Sequence, residues 1–145
     1  MKNNAKDLKG ASAVEFALVL PILTLIVFGI IEFGLILYDK AMITNASREG
    51  ARAGIVFRTD PVNGSYSPLT NGEIGNVVNG YLRNYLVTFS GPTNATTAVT
   101  RNGSGVGSEL KVSVGYSYTF LVLPSFITNL TGGINMTADT VMRME

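Results

Sequence analysis

The sequence predicts an α+β membrane protein: a long N-terminal transmembrane helix extending into a small outer domain, where a second helix packs on a roughly three-stranded antiparallel sheet. Three observations predict it. Residues Phe16–Ile31 form a charge-free apolar run that continues through Phe33–Tyr38, with Glu32 as its single interruption. A stripe of apolar residues at helical spacing follows Thr70, and two segments of strict alternation occupy the last third of the chain.

The apolar run is long enough to span a membrane: at about 1.5 Å per residue it covers about 34 Å, against a hydrocarbon core about 30 Å thick. A cleaved secretory signal has an apolar region of about 7–15 residues followed by a small-residue site, and neither feature fits. A buried core helix is disfavoured by supply, because about 100 further residues cannot wrap so long an apolar cylinder. Ahead of the run, MKNNAKDLKG carries Lys2, Lys6 and Lys9 against Asp7, which places the N-terminus in the cytoplasm and the rest of the chain across the membrane. The whole chain has a net charge of +1; removing three positive charges and one negative leaves −1 for residues 11–145. The expected divisions are a basic leader at 1–10, the helix at 11–56 and an outer domain at 57–145.

Pro21 lies inside the helix, where it removes one backbone bond and is expected to kink or loosen it. No Pro or turn cluster intervenes before Phe57, so the helix should continue past the membrane through Ala41–Ala53. There Ala46, Gly50 and Gly54 recur every four residues, a small-residue stripe that admits close approach of another helix. Gly54 is expected to meet the chain's own globular part, and Ala46, nearer the membrane, to meet another subunit. Arg48 and Arg52 stand four apart with like charge, either on a solvated face or facing an acidic partner such as Glu32 of another subunit.

Residues 58–70 (RTDPVNGSYSPLT) read as an irregular loop. Thr70 and Glu73 have capping-box spacing and open a helix to about Leu86, with Ile74, Val77, Val78, Tyr81, Leu82 and Tyr85 on its core stripe. Ala95–Arg101 suits a short strand, and Asn102–Ser108 a hairpin connection. Leu110–Phe120 alternates strictly, and alternation resumes from Ile134 to the terminus.

Composition narrows the chemistry. The chain is 46% hydrophobic and only 14% charged, and it has no His and no Cys. Imidazole bases, thiolate nucleophiles, disulfides and tetrahedral zinc sites built on those ligands are therefore excluded. The carboxylates are scattered singly, with no metal-loop spacing, and no basic cluster offers a footprint for nucleic acid. The expectation is a protein that is not an enzyme and needs no cofactor or metal.

Between leader and helix, Lys9-Gly10-Ala11-Ser12-Ala13-Val14-Glu15-Phe16 sets a carboxylate at the start of the apolar run. A charge at such depth calls for a partner. If the chain is cut after Gly10, the new α-amino group of Ala11 supplies a cation near Glu15; otherwise Glu15 is an ordinary interfacial residue.

Gly10 followed by Ala11–Phe16 resembles the processing site of type IV pilin-like proteins. More narrowly, Ala13–Gly34 (AVEFALVLPILTLIVFGIIEFG), Thr44–Gly54 (TNASREGARAG) and Thr140–Glu145 (TVMRME) resemble the TadE family of the tight-adherence (Tad, Flp) pilus system. The resemblance implies a pilin-like or pseudopilin subunit, processed by a prepilin peptidase after Gly10 and assembled through its N-terminal helix by way of Glu15 and Phe16. It also implies other pilin-like subunits and Tad assembly proteins as partners, a homo- or hetero-oligomer, and a place in the bacterial inner membrane with a periplasmic outer domain. The alternative is a permanent, uncut membrane anchor whose outer domain binds other envelope components. The leader discriminates: an anchor gains from keeping its lysines inside, and an assembling subunit must lose them.

Overall fold

A computed structural model describes residues 4–59, 64–88, 95–103, 105–120 and 133–144, with side chains from Gly10 onward. One uninterrupted helix, α1 (Asn4–Ile55), is followed by a short hairpin, β1 (Phe57–Thr59) and β2 (Tyr66–Pro68). Next come helix α2 (Asn71–Tyr85) and three strands, β3 (Ala95–Arg101), β4 (Glu109–Tyr118) and β5 (Ile134–Arg143). The strands form one antiparallel sheet in the order β3-β4-β5. In its register Val99 faces Val112 and Val114 faces Ala138.

Local chemistry sets the boundaries of these elements. Nothing between Asn4 and Gly10 breaks a helix, so the leader joins α1 rather than forming a separate segment, and Pro21 lies inside α1 without ending it. The capping box forms as the sequence predicts: the Thr70 hydroxyl accepts from the Glu73 N–H, and the Glu73 carboxylate accepts from the Thr70 N–H at 2.7 Å. Between β3 and β4 the chain turns through Gly103 and Gly107, both at positive φ, which a side chain would strain.

The core lies between one face of the sheet and the two helices. From the sheet, Leu110, Val112, Val114, Tyr116 and Tyr118 of β4 are buried, with Met136 and Ala138 of β5. Ile74, Val78 and Leu82 come from α2, and Ile43, Ala46 and Ala51 from α1. Glycines set the distance between the helices. A Cβ at Gly50 would lie 2.5 Å from a Val78 methyl, and one at Gly54 would lie 2.5 Å from Ile74 Cδ1 and 2.6 Å from a Leu110 methyl.

Three sequence expectations need correction. Ala46, expected between subunits, is fully buried in the chain's own core, because the small-residue stripe faces α2 and the sheet. The segment at 58–70, expected as an irregular loop, supplies most of the β1–β2 pair, which opens at Phe57, stacks the Phe57 and Tyr66 rings 5.5 Å apart, and has strands too short to show periodicity. Tyr85, expected in the core, is exposed because α2 ends there and Leu86 has extended backbone.

The same geometry separates two kinds of glycine. Gly80 has open space where a Cβ would go, so Gly80→Ala should stabilise the outer domain by about 0.5–1 kcal/mol through helix propensity. Gly50→Val should destabilise it by about 1–3 kcal/mol, because Val78 is branched at Cβ and cannot swing aside. Thermal unfolding of the full chain in nanodiscs, followed by tyrosine-region circular dichroism, measures both.

Candidate functional site

Functional weight falls on α1, which meets two environments. From Val14 to Ile31 its large apolar side chains are mostly exposed, with Phe28 part-buried, and none of them is fully buried. From Glu32 onward one face is buried beneath the outer domain. The segment is long and apolar enough to cross a membrane. Gly10, Ala11, Glu15, Phe16 and Pro21 all lie exposed on the first stretch, with nothing within 4 Å of a Cβ at Gly10. The proposed processing and assembly residues are thus on one free helical segment, remote from the folded domain.

Glu32 opens the second stretch. It is 2% exposed, and its Oε1 accepts from the Tyr118 hydroxyl at 2.5 Å. Burial first, and the hydrogen bond to Glu32 second, push the Tyr118 phenol well above its ordinary range, so it remains a donor. The carboxylate that interrupts the apolar run is thereby shielded by the chain's own β4 strand. This corrects the idea that Glu32 receives Arg48 or Arg52 of another subunit: the carboxylate is enclosed, while both arginines are exposed.

The same face continues with Asp39, seven residues on, fully buried, with Oδ1 accepting the Val87 N–H at 3.1 Å. Its other oxygen, Oδ2, has no hydrogen-bond partner among the described residues. Burial, and then the charge of Asp39, raise the Tyr116 phenol above its ordinary value. Lys40 donates to the Thr137 carbonyl on β5. Ser47 donates to the Thr44 carbonyl at 2.8 Å and lies 2.7 Å from the Thr140 hydroxyl, which is then the donor between them. These polar groups of α1 are therefore tied to β4, to Val87 just past α2, and to β5 in turn.

Sequence reasoning singled out Glu32 but missed Tyr118, Asp39, Lys40 and Ser47. Tyr118 carried a usable signal, because a buried tyrosine needs a partner for its hydroxyl and Glu32 is the single charge in the apolar run. Asp39, Lys40 and Ser47 look like an ordinary polar helix surface until the sheet is in place. On the outer face of the sheet, Lys111 pairs with Asp139 at 2.9 Å and, ahead of the Ser113 hydroxyl, holds that carboxyl below its usual range. Among the described residues no group of three or more metal-ligating side chains gathers.

Residues 10–52 match the family described as TadE-like protein, the same family that the residues resemble. A TadE-like segment implies a membrane protein associated with a Tad pilus. No curated protein and no solved structure matches the chain. The match opens at Gly10 and ends at Arg52, so it spans the free stretch and nearly all of the part that packs on the outer domain.

The junction generates a test. Tyr118→Phe leaves a buried carboxylate without this donor and should destabilise the outer domain by about 1–3 kcal/mol. Replacing both partners, as in Glu32→Leu with Tyr118→Phe, should recover most of that loss, since neither polar group is then left buried. Unfolding midpoints of the two variants in nanodiscs decide it.

Proposed function

We propose that this chain is a pilin-like subunit, a minor pilin or pseudopilin, of a Tad-type pilus assembly system in the bacterial inner membrane. It enters the bilayer through the free stretch of α1, with the leader in the cytoplasm and the outer domain in the periplasm. A prepilin peptidase cuts after Gly10, and the new Ala11 amine provides a cation for Glu15 on the same or a neighbouring chain. Assembly then proceeds through the N-terminal helix, with Phe16 and the following apolar residues meeting other pilin-like subunits.

The observation that carries this reading is the family match that begins at Gly10, on a helix whose first half exposes most of its large apolar side chains. The arrangement suits exchange of lipid for another subunit's helix, because the large side chains of this stretch are mostly exposed. Without the leader the segment loses Lys2, Lys6 and Lys9, which hold it at the cytoplasmic face.

N-terminal mass spectrometry of protein from cells making the whole system tests the cut. Ala11 is expected as the first residue, and Gly10→Val should abolish processing because a branched side chain replaces the hydrogen of Gly. Finding Met1 or Lys2 on the mature chain would replace this reading with a permanent anchor. Glu15→Ala should leave membrane level and outer-domain fold intact while reducing co-purification with pilus components, since its carboxylate lies far from the folded domain. Unchanged co-purification would remove Glu15 from the assembly step.

A further inference from the structure

The contacts along α1 fix which end of the outer domain faces the bilayer. Moving outward from Glu32, α1 meets Tyr118, then Val112, then Leu110 on β4. Over the same distance it meets Val87, just past α2, and then Val78 and Ile74 of α2. It meets Thr137 and then Thr140 on β5. The near end of the domain is therefore the end of β4, the end of α2 and the start of β5. The β3–β4 hairpin lies at the far end.

Helix length sets the depth of that near end. With Val14 at the inner edge of the hydrocarbon, about 20 residues of helix cross it, ending near Gly34. The headgroup layer adds roughly 5–7 Å, or about four residues, and reaches Tyr38. At this level the near end presents exposed apolar and aromatic groups on three elements: Tyr38 on α1, Tyr85 at the end of α2 and Ile134 at the start of β5. Two exposed cations stand there, Lys40 and Arg83; the exposed Asp139, close enough to feel Lys40, is paired with Lys111, and Glu32 and Asp39 are buried.

We propose that the near end of the outer domain is itself a lipid-contacting surface: Tyr38, Tyr85 and Ile134 lie in the headgroup layer, with Lys40 and Arg83 beside them against lipid phosphates. Amphipathic rings and cationic side chains are the residue types that this layer retains. The occupant is lipid rather than a second protein because the surface continues directly from the membrane-spanning face of α1. The Glu32–Tyr118 bond holds the domain against the helix at that depth. The domain is thus seated on the membrane rather than carried clear of it on a helical stalk. This inference rests on the membrane-spanning reading of α1.

The chain has no cysteine, so single-cysteine variants can be labelled one at a time. Ile134→Cys and Tyr85→Cys, each carrying an environment-sensitive fluorophore, are reconstituted at low density in vesicles of phosphatidylethanolamine and phosphatidylglycerol. The vesicles contain lipids spin-labelled at the headgroup or in the acyl chain. Val19→Cys reports on the span, and Val106→Cys, on the hairpin at the far end, reports on bulk water. The expected result is loss of fluorescence at positions 134 and 85 with the headgroup quencher, at 19 with the acyl-chain quencher, and at 106 with neither. If 134 and 85 behave like 106 while 19 is quenched, the domain stands clear of the bilayer and the proposal fails with the span intact. If 19 is also unquenched, the spanning reading fails, and this proposal with it.

Discussion

A single helix must satisfy two different surroundings, and the change between them happens at Glu32. On the membrane side α1 can be apolar on every face, because lipid accepts any apolar side chain and all backbone polar groups are paired inside the helix. On the outer side one face must fit a packed core while the other meets water. A carboxylate placed between these regimes needs a hydrogen-bond donor, and Tyr118 brings one from the last residue of β4. That bond links residues 86 positions apart, so the sheet has to be complete before the helix can be shielded at this depth. Everything beyond it follows the line it sets: Asp39 on Val87 just past α2, Lys40 on β5, then the glycines against α2 and β4.

Much of this was legible from the sequence, for physical reasons that differ by element. The apolar run announced itself through length alone. Helix α2 was readable at its start because Thr70 and Glu73 satisfy each other's backbone locally, without reference to the rest of the fold. Strand β4 was readable because one of its faces is buried and the other is wet, which imposes a period of two. The helical stripe was less reliable at its end: Tyr85 continues the spacing, but the helix stops and leaves it outside.

What the sequence did not show is mutual placement. A stripe of small residues says that something approaches closely, and it does not say whether the neighbour belongs to the same chain. Ala46, Gly50 and Gly54 meet Ile74, Val78, Leu110 and Val112, all of which come from later in this chain. Likewise Glu32, Arg48 and Arg52 form a plausible set of charges between subunits until the sheet encloses Glu32 and leaves the arginines outside. Candidate residues on the free stretch, Gly10 to Pro21, were read from local spacing and need no partner within the chain.

The division of α1 also constrains how subunits can meet. Beyond Glu32 the core-facing side is already occupied, by Ile43, Ala46, Ser47, Gly50 and Ala51 against the sheet and α2, so another helix can reach it only by displacing the outer domain. Before Glu32 the helix is mostly exposed, with Thr24, Phe28 and Gly29 part-buried. In the proposed assembly, the surface of α1 open to another helix is the stretch from Gly10 to Ile31 and the outward side that carries Arg48 and Arg52. The match over residues 10–52 takes in both parts of the helix. A segment that must be free at one end and complementary to its own domain at the other is held to two sets of contacts at once, whereas the exposed face of the sheet is held to neither.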